Sequence, residues 1–240
     1  MNIKHEFRKL LWKIGYDIYP FTPEFNPLAR RRKLLESYAI DVVLDVGAST
    51  GQFAQQMRND LGFSGKIVSF EPLSSAFELL RQNADRDPKW KVLNFALGEV
   101  DATKHINISG NLISSSLLYM LPAHIKVAPE SSYISKEVIE VKTLDSIIND
   151  LVHKKDKIYL KIDTQGYESK VIKGAEESLA RIETIQLEMS LVPLYEGELL
   201  IGEMHGLLSE KGYCLVSIEE AFSDRESGQL LQVDGIYHRF

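Results

Sequence analysis

One cysteine, Cys214, stands in 240 residues, which excludes an internal disulfide and makes a reducing compartment the expectation. No stretch approaches the ~18 uninterrupted apolar residues of a membrane-spanning helix. Lys4, His5, Glu6, Arg8 and Lys9 interrupt the only apolar stretch near the start, so no secretory signal is expected. Positive charge is scarce too: 28 Lys and Arg face 34 Asp and Glu, a net charge of −6. A chain of that balance is a poor general partner for the phosphates of nucleic acid. What remains is 44% apolar and 26% charged residues, the composition of an ordinary globular protein of one large α/β domain. A cytoplasmic enzyme-sized domain is the expectation.

The chain is organised around Val42–Phe53, where a near-continuous apolar run (Val42 to Val46) meets Gly47-Ala48-Ser49-Thr50-Gly51 and then a helix-compatible stretch. Such a run reads as a strand buried on both faces of a parallel sheet. Asp45 ends it and is expected to point into the crevice where α/β sheets bind ligands. A second strand, Lys66 to Phe70, ends in Glu71, twenty residues after Gly51. An acid at that offset suits the two hydroxyls of a ribose. A dinucleotide fold would carry Gly-x-Gly-x-x-Gly, whose middle glycine clears a pyrophosphate. Here Ser49 takes that place and the spacing is Gly-x-x-x-Gly. S-adenosylmethionine, a nucleoside without a pyrophosphate, fits this pattern; plain turn chemistry is the alternative.

Taken in order, residues 3–15 form an amphipathic helix with Ile3, Phe7, Leu10, Leu11 and Ile14 on one face. Residues 1–33 carry eight Lys and Arg against three Asp and Glu. A cap that packs on the domain is the simpler reading and a peripheral membrane contact the other. Residues 1–40 thus read as a helical arm and 41–240 as the main domain. Pro20, Pro23 and Pro27 break any helix, and Arg30-Arg31-Arg32-Lys33 opens another that ends near Tyr38, its charges on a solvated face. Trp90 to Phe95 reads as the third strand, followed by Asn94, Ala96 and Leu97 where a base would lie. From about 101 to 143 the βα rhythm is lost; His105–Ser109 and Val138–Val141 read as short strands inside an insertion that covers cofactor and substrate. His124 in this insertion is either a general base or a surface histidine.

The second informative stretch is Lys157–Glu168. It is a buried strand that contains Lys161 and ends in Asp163 and a glycine turn, followed by a helix from Glu168 to about Arg181. A lysine in a sheet core needs a carboxylate partner. The fifth strand, Thr184 to Met189, brings Glu188 to the same crevice. Asp163 and Glu188 can neutralise Lys161, move a proton, or hold a divalent cation such as magnesium. Tyr213–Ile218 and Leu230–Tyr237 alternate as a terminal antiparallel hairpin, with Cys214 expected to fill core.

Five strands alternating with helices and then a strand pair resemble the class I S-adenosylmethionine-dependent methyltransferases: a Rossmann-like fold, its mostly parallel seven-stranded sheet closed by an antiparallel hairpin, with helices on both faces. More narrowly, the chain resembles the FkbM family. The residues that carry this are Leu44-Asp45-Val46-Gly47-Ala48…Gly51-Gln52-Phe53, Phe70-Glu71-Pro72, Ser114–Leu118, Thr143-Leu144-Asp145, Leu160-Lys161-Ile162-Asp163…Gly166…Glu168, Gly174-Ala175 and Glu188. The resemblance implies methyl transfer, generally to an oxygen, on a saccharide or secondary metabolite. Asp45, Gly47, Ala48 and Gly51 then look like the cofactor loop and Glu71 like the ribose ligand. Asn94, Ala96, Leu97, Ser116 and Asp163 are further cofactor contacts. Gln165, where an acid is expected, departs from the pattern and speaks against a simple acidic metal cluster. Asp163, His124, Glu188 and Lys161 are the catalytic candidates, in that order. Two other readings stay open. An NAD-dependent oxidoreductase has Ser49 and the terminal hairpin against it; a non-catalytic nucleoside-binding module has the polar insertion and the crevice carboxylates against it.

Overall fold

Runs of five residues such as Val42–Val46 and Ile158–Ile162 are too short for a stable helix and rich in β-branched side chains, so they pair as strands. The computed structural model describes residues 3–240, with the backbone alone for Ile3 and Lys4. Residues 1 and 2 of the expected arm, and the side chain of Ile3 on its apolar face, lie outside the described residues. Helices α1 (Ile3–Trp12) and α2 (Pro27–Ser37) come first. Strands and helices then alternate as β1 (Val42–Val46), α3 (Gln52–Asn59), β2 (Lys66–Phe70), α4 (Ser74–Ala84) and β3 (Trp90–Leu93). Next come β4 (Ala96–Leu97), β5 (Ala102–Ser109), α5 (Pro122–Val127) and β6 (Tyr133–Lys142). The chain continues through α6 (Leu144–Leu151), β7 (Ile158–Ile162), α7 (Glu168–Lys173), β8 (Ile182–Ser190) and α8 (Ile201–Glu210), and ends in β9 (Cys214–Ser223) and β10 (Leu230–His238).

The main sheet has the order β3-β2-β1-β7-β8-β10-β9. The first five of these strands are parallel, and β10 is antiparallel to both β8 and β9. The order reverses between β1 and β7, which opens a crevice at their carboxyl ends. Alternation along β1 feeds two cores. Val42, Leu44 and Val46 meet α6, α7 and α8 through Leu144, Val171 and Met204; Val43 meets α2, α3 and α4 through Leu35, Ala54 and Leu80. The α/β class, the mostly parallel seven-stranded sheet, the helices on both faces and the terminal hairpin are as the sequence predicts.

Several boundaries differ, each for a physical reason. The two strands expected in the insertion are longer, and they pair: β5 and β6 are antiparallel and β4 joins them in a second sheet of order β4-β6-β5. Pro27 does not break a helix but starts α2, where its missing N–H costs nothing, and Asn26 caps the Ala29 N–H at 3.1 Å. Within the basic run of α2, Arg31 is buried and pairs with Glu219 of β9, so that run is not wholly a solvated face. The third strand stops at Leu93 because the chain turns to supply β4. The helix expected to reach Arg181 ends at Lys173, followed by a 3-10 turn over Ser178–Arg181. Cys214 is exposed rather than core. Among the described residues the core clusters contain none before Leu28, so the described side chains of α1 do not pack into them.

Gly174 lies so close to β4's exit that a Cβ there would stand 1.8 Å from the Gly98 carbonyl oxygen, whereas Gly202 in α8 has nothing within 4 Å. Gly174→Ala is expected to destabilise the fold by about 1–3 kcal/mol or more. Gly202→Ala is expected to stabilise it by about 0.5–1 kcal/mol. Urea unfolding of both variants measures the contrast.

Candidate functional site

Two cavities open at the carboxyl ends of β1, β2, β7 and β8. The narrower, about 610 Å³, lies between the β1 turn, the start of α4 and the insertion. Glu71 governs its polar wall: Oε2 accepts from the Ser49 N–H (2.8 Å) and Oε1 from the Leu73 N–H (2.9 Å). Burial pushes the Glu71 carboxyl up to about 7, against the pull of those two N–H groups. Phe70, Leu73, Ala96, Leu97, Ile106 and Leu117 supply an apolar wall opposite. Ser116 also lines this cavity, and its hydroxyl donates to the Gln165 carbonyl oxygen at 2.7 Å.

The glycines serve the turn itself. Gly47 (φ +77°) abuts β7's exit, where a Cβ would come 1.8 Å from the Asp163 carbonyl oxygen; Gly51 (φ +96°) abuts Trp90 and Leu80. Of the pair, Gly47 lines the narrower cavity and Gly51 supports it from behind. Asn94 lies outside: exposed, its amide donates to the Glu71 and Pro72 carbonyl oxygens and braces their turn.

The wider cavity, about 1320 Å³, is lined by side chains of α2, α3, β8 and β10, among them Arg31, Gln52, Gln56, Gln186, Gln232 and Asp234. Ala48, His124, Lys161 and Glu188 face it as well. Ser49, Ile113, Asp163 and Gln165 line both cavities, so the two meet at the ends of β1 and β7.

Beneath this junction a polar row crosses the sheet. Register places Asp45 beside Ser69 of β2 and Lys161 of β7, and Lys161 beside Gln186 of β8. Asp45 therefore does not point into the crevice as expected: it is fully buried, accepts from the Ser69 hydroxyl (3.0 Å), and lies 3.3 Å from the Lys161 ammonium. Lys161 also lies 3.5 Å from Asp163 and donates to the Gly47 carbonyl oxygen at 3.3 Å. Burial opposes its charge, but Asp163 and Asp45 outweigh that and hold its pKa above the ordinary value.

Gln165 occupies the left-handed region (φ +56°) and fixes the junction. Its amide nitrogen donates to Asp163 Oδ1 (2.9 Å) and Glu188 Oε2 (3.0 Å), and its Oε1 accepts from the Tyr195 hydroxyl (2.7 Å). An N–H group thus stands between the two carboxylates that a cation would need. As arranged, Asp163 and Glu188 do not fit a magnesium ion, and among the described residues no three His, Cys, Asp or Glu side chains converge. Burial, then Asp163 and Glu168, push the Glu188 carboxyl well up. His124 is no surface histidine: it is buried on α5 between the rings of Tyr195 and Phe222, each 5.2 Å away. Burial lowers its pKa despite Glu130, so it is neutral and faces the wider cavity.

Sequence reasoning did not assign Gln165, Gln186, Gln232, Asp234 or Arg31 to the site. The signal for Gln186 was present, two residues before Glu188 on an alternating strand. Glu168 braces the turn after β7: its Oε1 accepts from the Thr164 N–H and hydroxyl and the Gly166 N–H. Burial pushes its carboxyl up to about 7. The folded state holds this proton to about pH 7, whereas an unfolded glutamate releases it near its ordinary value of 4.5, so ionisation in that window favours the unfolded chain. Glu168→Gln keeps the accepting oxygen and removes the charge. Its stability relative to the native chain is expected to rise with pH across the window by up to about 3 kcal/mol, as measured by urea unfolding at a series of pH values.

The methyltransferase FkbM domain model matches residues 45–215. No curated protein matches the chain. Among solved structures, the chain is similar to an rRNA methylase from Streptococcus thermophilus, with 10% identity over 90% of this chain and 97% of that one and a TM-score of 0.47. It is similar to a precorrin-6y C5,15-methyltransferase from Geobacter metallireducens, with 12% identity over 88% and 87% and a TM-score of 0.42. It is also similar to the plantazolicin methyltransferase BamL in complex with a triazolic desmethylPZN analog and SAH, with 10% identity over 88% and 83% and a TM-score of 0.49. From the end of β1 to the start of β9, then, the chain belongs to the FkbM family of methyltransferase domains.

Proposed function

We propose that this protein transfers a methyl group from S-adenosylmethionine to a hydroxyl oxygen of a polyhydroxylated acceptor, a saccharide or a similar secondary metabolite. The observation that carries the reading is the meeting of two unlike cavities at Asp163. The narrower suits the donor: Glu71 stands where a ribose would present its two hydroxyls, and Ala96, Leu97 and Leu73 suit an adenine face. The wider suits a sugar, since the side-chain amides of Gln52, Gln56, Asn111, Gln186 and Gln232 can each donate and accept a hydrogen bond.

When bound, S-adenosylmethionine supplies an electrophilic methyl on a good leaving group. The chain's own residues then chiefly align the acceptor and exclude water. Asp163, at the junction, is placed to accept the hydroxyl proton as the new oxygen–carbon bond forms. Gln165 holds that carboxylate toward the junction through its 2.9 Å hydrogen bond, and Lys161 steadies it from below. His124 and Glu188 reach the acceptor cavity alone, so they suit acceptor binding better than proton transfer.

With radiolabelled donor and a panel of saccharide acceptors, Asp163→Asn is expected to lower kcat about 10²- to 10⁴-fold while donor affinity changes little. His124→Ala is expected to act mainly on acceptor KM. Full turnover by Asp163→Asn together with loss of kcat in His124→Ala would transfer the base role to the histidine.

A further inference from the structure

We infer that the N-terminal arm is a docking surface for an anionic lipid bilayer, a contact separate from the methyl-transfer site. The arm is α1 followed by residues 13–25. Within it Phe7, Leu10, Trp12, Ile14, Tyr16, Ile18, Tyr19, Phe21 and Phe25 are all about half exposed or more, from 47% at Trp12 to 69% at Tyr16. Large apolar side chains exposed together on one short arm mark an interaction site, whereas singly scattered ones do not.

The arm is a folded unit and not a loose tail. Arg8 donates to both carboxylate oxygens of Asp17 (2.9 and 2.8 Å), and its guanidinium lies over the rings of Trp12 and Tyr19. Gly15 (φ +81°) makes the reversal between the two halves. The clip so formed joins the body through α2, where Arg30 donates to the Pro23 carbonyl oxygen and Arg32 lies over Phe21.

Charge selects the occupant. The arm and the start of α2, residues 1–33, carry eight Lys and Arg against three Asp and Glu, seven of the eight outside the buried Arg31–Glu219 pair, while the rest of the chain carries 20 against 31. An anionic bilayer attracts the first and repels the second, which turns the arm toward the lipid. Apolar side chains on the same arm as Lys9 and Lys13, with Trp12, Tyr16 and Tyr19 among them, match the boundary between headgroups and acyl chains. No helix among the described residues is long and apolar enough to cross a membrane, so the contact lies on the surface. A second copy is the competing occupant, but it would bring two basic arms together.

The test uses the full chain with vesicles of phosphatidylcholine mixed with phosphatidylglycerol, or of phosphatidylcholine alone. Of the two tryptophans Trp90 is buried, so a blue shift of emission on adding vesicles reports Trp12. Co-sedimentation and a blue shift are expected with the anionic vesicles, both weakened by salt. Lys9→Ala with Lys13→Ala should weaken binding about 10- to 30-fold. Phe7→Ser with Leu10→Ser should abolish binding with an unchanged thermal midpoint. Equal binding to neutral vesicles overturns the inference, as does a chain that binds neither kind and dimerises through the arm.

Discussion

The ammonium group of Lys161 sits inside the sheet, and the site is arranged around keeping it charged. A lysine there costs several kcal/mol of lost hydration unless partners return it. Asp45 comes from the strand alongside, Asp163 from just past the end of β7, two residues further along the chain, and the Gly47 carbonyl oxygen from the turn that follows β1. One charge therefore ties together the two strands that flank the crevice and the turn between them. It also leaves Asp163 as the member of the set that reaches both cavities.

The backbone has to accommodate that arrangement. Gly47 lies against the Asp163 carbonyl oxygen at a distance no side chain would allow, and Ser49 and Gln165 adopt left-handed conformations that non-glycine residues seldom take. Strain held at two positions of one junction is the pattern expected where structure serves a site. Each strained residue earns a specific contact. Ser49 presents its N–H to Glu71, and Gln165 presents its amide to two carboxylates and a tyrosine. The narrow apolar pocket and the wide amide-lined one are separated by this short stretch of turn.

Much of this was legible in the residues. Apolar runs of five, each followed by a turn, announced the parallel strands, and Glu71, Asp163 and Glu188 at strand ends announced the crevice. Other features depended on contacts between distant segments. Asp45 is identical in sequence terms whether it faces ligand or lysine; only the register of β1 against β7 decides. His124 sits between two prolines, Pro122 and Pro129, which reads as surface until Tyr195 and Phe222 close over it. In the insertion the strands at His105–Ser109 and Val138–Val141 were legible, but not their pairing with each other and with β4 in a second sheet, which joins segments distant in sequence. In the arm, amphipathicity was plain, but the same pattern serves a packed cap or an uncovered face.

The account turns on whether the narrower cavity takes the nucleoside end of a methyl donor through Glu71. Isothermal titration of the purified chain with S-adenosylhomocysteine and, separately, with NAD addresses this directly, with Glu71→Ala as the paired variant. The account predicts binding of S-adenosylhomocysteine alone, weakened about tenfold or more in the variant, the loss expected for hydrogen bonds to a charged acceptor. Equal affinity in the two proteins, or binding of NAD in its place, would contradict it.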